Sequence, residues 1–577
     1  MGAFLLIVEP HRLREGGRLE RGLDIFRQMG FAAPRYIDQG ACGLWLFPKL
    51  GQTEISYLDC GNGDFVCTTG TLFSRGRRGT VVLREIYDGF GGGTGVAPSV
   101  RGVFHLILRK QGILYLVNDA AGLLSVYFNA DRRVFSSSWL AVCCLADHLT
   151  LSTQSAYEYV FNGSVLGNCT LVREVELLAL NSHVEFGSGA PRLIIRSPVI
   201  PRPPRGSREE LLEESLRLLR GYFRELVAAF PAGFNCALSG GYDSRLILGL
   251  LLEQGAAPNL FVYGRDTDDD VVVAKTIAAG EGLGLLTLDR STRDRCGPDA
   301  FPEQVRRNFY GSDGGSYGGL LNWDSESSEV RRRTADGRAC LNGGGGEVFR
   351  NFFYLPNRRF TMRQLLWSFY GQFEPRWTTA EFDEDSHFTA LESKLAETLG
   401  DSNPNLERHV IEWLYPHFRC RSWVAKEMQF GNRAGTQLNP FLDDRISQWA
   451  GSLSIDLKNL GRFEAELIRR VNPRLAAYLS AYGHSFTADP PWPYRAAYQL
   501  GQWRSPRLRR VMFRLRARTR RGRHQFHGYG APAYIHSLFG DQPCGMSRLF
   551  RLERVGSDAQ WHRIWALEYL CRELSLD

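Results

Sequence analysis

The first 190 residues carry short apolar runs that are separated by Gly, Asn and Asp. Short apolar runs bounded by turn residues are typical of β-strands. We therefore predict a β-rich N-terminal part, with a glycine-rich loop at residues 90–95 between two strands. An apolar stretch at residues 1–9 lacks a leading positive region and a cleavage site, so it is interpreted as a strand and not as a signal peptide. Further strands are predicted at residues 43–47, 65–69, 80–83, 103–108, 113–117 and 126–128.

The pattern changes at a proline-rich stretch, residues 201–205, which we interpret as a linker. Ser207 and Glu210 then form a capping-box pair, and apolar residues follow at helical spacing to residue 230. From residue 233 strand-like and helical stretches alternate, which predicts a parallel sheet covered by helices. The predicted strands are 234–238, 259–263 and 285–288, and the predicted helices are 245–253 and 271–280. Beyond about residue 350 the chain is rich in helical patterns and ends in a helix near residues 557–575.

The most specific motif lies between the first of these strands and its helix. Residues 236–245 read Cys-Ala-Leu-Ser-Gly-Gly-Tyr-Asp-Ser-Arg. The glycines allow close backbone approach and the helix N-terminus supplies unpaired N–H groups, so this turn is suited to a phosphate. Asp243 adds a carboxylate that is suited to Mg²⁺. No lysine follows as it does in the P-loop pattern G-x-x-x-x-G-K-[ST], so this is a different kind of phosphate loop.

The composition of the chain limits the number of domains and indicates the cellular compartment. The chain has 577 residues, 44% of them hydrophobic, and a formal net charge of +8, which suits two to four domains with sizeable cores. No apolar run is long enough to span a membrane. Twelve cysteines without a C-x-x-C pair indicate free thiols in a reducing compartment, and we predict a cytoplasmic protein. The sequence is compatible with a homodimer.

Positive charge is concentrated in residues 504–523. This segment is suited to an RNA, an anionic membrane or an acidic peptide, or it forms a solvated helix face with Val511 and Leu515 on its apolar side. Nucleic acid is the least favoured partner, because no aromatic stacking pattern accompanies the charge. The ten arginines are Arg504, Arg507, Arg509, Arg510, Arg514, Arg516, Arg518, Arg520, Arg521 and Arg523.

Several segments together resemble the asparagine synthetase superfamily, which includes the β-lactam synthetases and the macrolactam-forming cyclases of lasso peptides. Residues 238–244 resemble its pyrophosphate loop, and residues 344–349 resemble its glycine-rich acidic loop. The resemblance continues at residues 118–122, 126–128, 137–138, 157–180, 259–263 and 439–443 and at Asp270, Ala274 and Ala278. It covers most of the chain and implies an α/β protein with an α+β N-terminal part. Residues 1–200 would be a glutaminase-like αββα sandwich. Residues 201–577 would be a Rossmann-like ATP-pyrophosphatase domain with a helical, arginine-rich C-terminal region.

The resemblance implies an ATP-dependent ligase. A small-molecule or peptide carboxylate would attack ATP to give an acyl-adenylate and pyrophosphate, and an amine or ammonia would then displace AMP. The implied cofactors are ATP and Mg²⁺, with Asp243 and Glu347 as metal ligands. The implied nucleotide-binding residues are Ala237, Ser239, Gly240, Gly241, Asp243, Ser244, Val262, Tyr263, Gly344 and Gly345.

The sequence departs from this family at three places. Gly2 stands where glutamine-using members carry the nucleophilic cysteine, so we predict no glutamine hydrolysis. When the family pattern G-E-G-x-D-E is aligned with residues 342–347, Glu347 is the only acidic residue that remains. Either Glu347 takes over the metal role, or the site lacks its second carboxylate. The segment 477–486 has no lysine, and His484 or Arg245 is a candidate for the missing positive charge. Glu347, Arg245 and His484 are therefore the candidate catalytic residues.

Two functions of other classes stay open at this point. The chain could be a catalytically impaired ATP-binding scaffold, since the acidic and lysine positions are changed. It could instead modify RNA, using the arginine segment and a sulfur-relay cysteine, for which Cys340 is the candidate. We prefer to interpret Cys340 as a buried strand thiol.

Overall fold

The computed structural model describes residues 1–14, 17–52, 55–92, 96–289, 296–315, 319–321, 327–519 and 528–576. Part of the predicted loop (residues 93–95) and Arg520, Arg521 and Arg523 lie outside these ranges. The strands are β1 Ala3–Val8, β2 Arg35–Asp38, β3 Cys42–Phe47, β4 Tyr57–Gly61, β5 Asp64–Ser74, β6 Val100–Lys110, β7 Ile113–Asn118, β8 Tyr127–Asn129, β9 Val134–Ser136, β10 Val175–Leu177, β11 Ser182–Phe186, β12 Arg192–Ile195, β13 Phe234–Ala237, β14 Asn259–Tyr263, β15 Leu285–Leu288, β16 Ala339–Leu341, β17 Phe360–Thr361, β18 Asn405–Leu406 and β19 Thr436–Leu438.

Helices occur along the whole chain and are the main elements of its last third. They are α1 His11–Arg14, α2 Arg18–Gln28, α3 Thr80–Gly89, α4 Trp139–Leu145, α5 Thr153–Asn162, α6 Arg208–Ala229, α7 Asp243–Glu253, α8 Asp269–Gly280, α9 Phe301–Gly311, α10 Ser327–Arg333, α11 Met362–Phe369, α12 Glu384–Leu399, α13 Arg408–Leu414, α14 Arg421–Ala434, α15 Asp444–Ser452, α16 Ile455–Lys458, α17 Arg462–Val471, α18 Pro473–Ala477, α19 Trp492–Trp503, α20 Pro506–Thr519, α21 Pro532–Phe539 and α22 Asp558–Glu573. None of the helices in the described ranges has both the length and the apolar character that a bilayer span requires.

The N-terminal strands form two antiparallel six-stranded sheets that face each other. Their strand orders are β10-β8-β9-β1-β3-β2 and β12-β11-β7-β6-β5-β4. Strand β1 shows how the layers form, because Phe4 and Leu6 pack between the sheets while Leu5 packs on the opposite face with Phe26 of α2. On the outer face of the second sheet, Val82 of α3 closes a third cluster. The expected αββα layering and the α/β class are thus confirmed.

One predicted strand is wrong. Residues 80–83 begin the helix α3 and do not form a strand. Val82, Leu83 and Ile86 are buried on one side, whereas Val81 is exposed. This is helical spacing, and a window of four residues is too short to separate it from the alternation of a strand.

The second half contains a parallel sheet of five strands in the order β15-β14-β13-β16-β19. Numbered along the chain, this is the order 3-2-1-4-5 of doubly wound sheets, in which the connections reverse direction between β13 and β16. Ligands bind in such sheets at that reversal, outside the carboxyl ends of the strands. The sequence-predicted motifs follow β13 and β16, so the topology brings them together.

Two local predictions about the second half are confirmed. Ser207 and Glu210 form the predicted capping box at the start of α6, where each side chain accepts from the other residue's backbone N–H. Strands β14 and β15 have the predicted bounds.

Polar contacts join the sandwich to the second half. Arg101 of β6 forms an ion pair with Asp443 at 2.9 Å. The backbone carbonyl of Ser137 accepts hydrogen bonds from Gln429 (2.6 Å) and Arg433 (3.2 Å), both on α14. The Lys49 ammonium donates to the carbonyl of Gly435, just beyond that helix. Helix α14 is therefore held in place by the sandwich.

Candidate active site at the sheet switch point

Two loops meet backbone to backbone at the switch point. The loop after β13, Ser239 to Ser244, contacts the loop after β16, which runs from Asn342 to Gly346. A Cβ atom at Gly343 would lie 2.9 Å from Asp243 Cβ, and one at Gly346 would lie 2.7 Å from it. Side chains at 343 and 346 would therefore push the loops apart, which explains glycine at both places.

The first loop is organised by its own hydroxyl groups. The Ser239 N–H donates to Ser244 Oγ at 3.0 Å, and the two serine hydroxyls lie 3.1 Å apart. The Gly240 N–H donates to a carboxylate oxygen of Asp270 at 2.8 Å. The Asp270 carboxylate thus already accepts from one backbone N–H of the loop. The N-terminus of helix α7 follows directly after the loop. This arrangement can bind phosphate oxygens.

Three carboxylates surround one arginine beside this loop. Arg350 donates to Asp243 at 2.6 Å, and its guanidinium lies 2.9 Å from Glu464 and 3.7 Å from Glu347. Sequence reasoning missed Arg350 and Glu464. Glu464 lies on α17 and is fully buried among apolar residues of that amphipathic helix. A glutamate at an apolar helical position was the one signal that could have identified it.

Burial and mutual repulsion control the charge of this cluster. Burial raises the pKa of Asp243, and the Glu347 carboxylate raises it further, while Arg350 lowers it. Burial, together with Asp243, raises the pKa of Glu464 well above its usual range. Burial alone would lower the pKa of the Arg350 guanidinium, but the three carboxylates raise this pKa well above its usual value. The Asp243–Glu464 pair therefore retains a proton more readily than isolated carboxylates do.

Glu347 is held from its other side by the tyrosine of a π-helical turn. This turn spans Tyr415–Cys420 between α13 and α14. Its Tyr415 hydroxyl donates to Glu347 Oε2 at 2.6 Å. Single π-helical turns are often found at functional sites, and here the turn fixes a predicted catalytic side chain.

The cluster does not fit the predicted magnesium site in this arrangement. Asp243 and Glu347 are brought together, but Arg350 lies between them and is bonded to Asp243 Oδ2. The second oxygen, Asp243 Oδ1, is buried against Gly346. Across the described ranges, no group of three or more His, Cys, Asp or Glu side chains is arranged to hold a metal ion. The Arg350 guanidinium supplies the positive charge between Asp243 and Glu347 that Mg²⁺ would otherwise supply.

Three of the implied nucleotide-binding residues, Ala237, Val262 and Tyr263, lie at the ends of β13 and β14. Ala237 is in register with Phe261, and Val262 is buried. The Tyr263 hydroxyl contacts Glu329 and accepts from Arg333 Nε at 2.6 Å. Burial and Glu329 raise the pKa of Tyr263 to about 12. The Tyr263 side chain is thus engaged within the fold.

A third loop, after β19, supports the glycine loop. The Gly344 N–H donates to Asn342 Oδ1 at 2.8 Å, and the Gly344 carbonyl accepts from Asn439 at 3.1 Å. Gly345 has φ 94°, and a Cβ there would lie 2.5 Å from Leu442. The 439–443 segment therefore fixes the conformation of Gly344 and Gly345.

Arg245 lies behind the phosphate loop. Its guanidinium is fully buried and donates to the carbonyls of Leu475 (3.1 Å), Tyr478 (2.8 Å) and Leu479 (3.0 Å). It also reaches the carbonyl of Gly240 at 3.4 Å. The structure thus turns the Arg245 guanidinium toward backbone carbonyls behind the loop, and the catalytic role expected from the sequence stays a prediction.

His484 lies in an aromatic cluster next to the loop. Its ring is 5.1 Å from the Tyr494 ring and 5.9 Å from Phe486, which stacks on Tyr242. Its Nδ1 lies 2.9 Å from the Ser485 carbonyl, and its Nε2 is buried without a hydrogen-bond partner among the described residues. The structure places His484 beside the site but not in contact with the acidic cluster.

Two further sequence features have structural roles. A Cβ at Gly2 would lie 2.8 Å from the Phe31 ring and 2.9 Å from the Arg433 carbonyl, so the space that a cysteine side chain requires is filled.

Cys340 is buried in β16, and burial raises the pKa of its thiol to about 12, which does not suit a sulfur relay.

Part of the arginine segment is used inside the fold. Arg509 donates to the carbonyl of Phe353 at 2.9 Å, and Arg518 donates to Glu374 at 2.9 Å. Arg510 and Arg514 both contact Glu384. These four arginines dock α20 on the protein, while Arg504, Arg507 and Arg516 stay exposed.

Comparisons with known proteins find only weak structural similarity. No family model matches the sequence, and no curated protein matches it. The solved allosteric regulatory enzyme of purine biosynthesis is similar at 10% identity, covering 59% of this chain and 89% of its own, with a TM-score of 0.24. Glutamine phosphoribosylpyrophosphate amidotransferase from B. subtilis, solved in complex with ADP and GMP, is similar at 10% identity over 59% of this chain and 81% of its own, with a TM-score of 0.23. Likeness at these scores carries no argument about the function of this chain.

Proposed function

We propose that this chain is an ATP-dependent amide-forming ligase that activates a carboxylate as an acyl-adenylate and does not hydrolyse glutamine. One observation carries the proposal: the Ser239–Ser244 loop lies at the switch point of a 3-2-1-4-5 parallel sheet, against the glycine loop 342–346. This is where doubly wound sheets bind nucleotides, and the loop brings two serine hydroxyls and a helix N-terminus to that place, which are donors suited to phosphate oxygens.

In the first step a substrate carboxylate oxygen attacks the α-phosphorus of ATP. The bond between that phosphorus and the oxygen bridging to the β-phosphorus breaks, and pyrophosphate leaves. The hydroxyls of Ser239 and Ser244 and the N-terminus of α7 would bind the leaving pyrophosphate. Arg350 lies beside the loop among three carboxylates, and burial raises the pKa values of Asp243 and Glu464, which favours their neutral forms and lowers their repulsion of the phosphates.

In the second step an amine nitrogen attacks the acyl carbon, the carbon–oxygen bond to AMP breaks, and the nitrogen loses a proton. The amine or ammonia comes from solution or from the substrate, because Gly2 provides no nucleophile and its surroundings leave no room for one. The phosphate loop and the supporting loops contribute mainly by positioning the reactants.

The test is ATP–pyrophosphate exchange with purified full-length protein and a panel of carboxylic acids. We expect acid-dependent exchange that Ser244→Ala and Asp243→Asn each reduce at least tenfold. The matched control is Asp269→Asn, since Asp269 also lies in the first turn of a helix but is exposed. Exchange that is unchanged in Ser244→Ala and Asp243→Asn would refute the proposal.

A second candidate is a catalytically impaired ATP-binding scaffold. It is favoured by one observation, namely that Arg350 occupies the space between Asp243 and Glu347. Calorimetry with ATP separates the two candidates. ATP binding that Ser244→Ala weakens, without exchange for any acid, supports the scaffold.

A further inference from the structure

A cavity lies between the sandwich and helix α14. Its volume is about 140 Å³. Tyr127 and Trp139 line it from the sandwich, and Leu567 and Leu570 line it from α22. Helix α14 contributes its charged face, namely Arg421, Lys426, Glu427 and Arg433.

The two carboxylates in the cavity wall already have cationic partners. Asp313 forms an ion pair with Arg433 at 2.7 Å. Glu427 accepts from Arg333 at 3.3 Å and from the Asn342 amide at 3.0 Å. Neither carboxylate is therefore free to neutralise a further cation.

The remaining cations have no carboxylate partner. Lys426 makes no hydrogen bond or ion pair with any residue that the structure describes. Arg421 donates to the neutral oxygens of Asn168 (2.5 Å) and Leu178 (2.6 Å). Nearby Arg563 donates to the carbonyls of Val160 (3.0 Å) and Phe161 (3.3 Å). Buried charge is costly unless it is paired, so this end of the cavity favours an anion, although Asp119 and Glu397 already act on Arg421 at longer range.

The exposure of Lys426 agrees with this location. The residue retains accessible surface, yet burial, with the charge of Arg563, lowers the pKa of its ammonium to about 8. Lys426 lines the cavity, so its accessible surface includes the part that faces the cavity interior. At pH 7 the ammonium is still mostly protonated and able to attract an anion.

Part of the remaining wall is apolar, and it lies beside polar residues that include Ser125, Thr170 and Asn308. Leu171, Leu177, Leu320 and Phe430 line it together with the two leucines of α22. An engineered apolar cavity of ~150 Å³ holds benzene, so the space is suited to one ring or a short alkyl chain. The occupant thus has an apolar body and an anionic head.

We propose that this cavity binds a small monocarboxylic acid, with Lys426 contacting the carboxylate and the leucines enclosing the apolar body. This site is separate from the nucleotide loops, although Glu427 links its wall to Asn342 at the start of the glycine loop. Binding requires no nucleotide, so the test is independent of the proposed ligase activity.

The test is calorimetric titration of the full chain at pH 7 with benzoate, hexanoate and the neutral isostere benzamide, without ATP. We expect benzoate or hexanoate to bind and benzamide to bind at least tenfold more weakly. Lys426→Met should weaken carboxylate binding at least tenfold. The matched control, Lys275→Met, changes an exposed lysine that pairs with Asp266 on the surface and should have no effect.

A second measurement guards against misfolding of the variant. Lysines of the wild-type protein are methylated with ¹³C-formaldehyde and a borane or cyanoborohydride reductant, and the resonance absent from Lys426→Met identifies Lys426. Benzoate should shift this resonance and raise its titration midpoint. The proposal would be overturned if neither carboxylate binds, or if benzamide binds as tightly as the carboxylates. It would also be overturned if benzoate does not shift the Lys426 resonance.

Discussion

The Asp243 carboxylate lies in the space that the missing side chain of Gly346 leaves open. A Cβ at position 346 would fall 2.7 Å from Asp243 Cβ and closer still to the carboxylate. The position at which the resembled family carries an acidic residue is thus occupied here by the acid of the neighbouring loop. Arg350 then holds that acid in place.

Gly346→Ala should therefore displace Asp243 and impair the site. We expect ATP–pyrophosphate exchange to fall at least tenfold, because the new methyl group and the Asp243 carboxylate cannot occupy the same volume. Gly221→Ala is the control, since a Cβ there meets nothing within 4 Å on helix α6. That variant should keep full exchange and gain up to about 1 kcal/mol of stability. Equal activity of Gly346→Ala and wild type would contradict the arrangement.

Arg350→Met should destabilise the protein and create affinity for a divalent cation. Removing the guanidinium leaves three neighbouring carboxylates without a cation, which costs about 3 kcal/mol in partly buried sites. We expect a lower urea midpoint and a gain in melting temperature on adding MgCl₂ that exceeds the gain of wild type. Arg359→Met removes an exposed ion pair with Glu407 and should change neither quantity. A variant as stable as wild type, or one indifferent to MgCl₂, would argue against this account.

Arg245→Met should loosen the segment that packs on the phosphate loop. The buried guanidinium donates to the carbonyls of Leu475, Tyr478 and Leu479, and unsatisfied buried acceptors cost about 1–3 kcal/mol each. We expect lower stability and faster proteolysis near residues 478–483. Arg245→Lys should rescue poorly, because an ammonium cannot reproduce the planar fork. Full rescue by lysine would show that charge alone matters.

Lys49 should make stability rise with pH. Burial, with the charge of Arg78, lowers the pKa of its ammonium from 10.5 to about 7. Between these values the unfolded chain binds more protons than the folded one, so the free energy of unfolding increases with pH. The slope from this group is at most ~1.4 kcal/mol per pH unit. Urea unfolding at pH 7.5, 8.5 and 9.5 should show the slope in wild type and a smaller one in Lys49→Met, whereas parallel curves would contradict it.

Local sequence patterns predicted the parallel sheet well. Strands 259–263 and 285–288 are short apolar runs bounded by turn residues, and their bounds were correct. The loops 239–244 and 342–346 could be located from the sequence because each is a continuous motif. Residues 80–83 were misassigned because four residues do not distinguish the two periodicities.

Long-range features of the site could not be predicted in this way. Glu464 comes from a helix far along the chain, and its role depends on how α17 packs against α7. Arg245 follows the phosphate loop in sequence, yet tertiary packing turns its guanidinium inward. Neither relationship leaves a local pattern in the sequence.

The hydrogen bonds from Gln429 and Arg433 to Ser137 have a consequence for how the chain can be shortened. A protein made of residues 201–577 alone would expose these buried donors, together with the apolar surface around them. Shortening the gene from its 5′ end would thus cost stability in the part that remains. The sandwich would therefore serve the stability of the second half, even without a nucleophile at position 2.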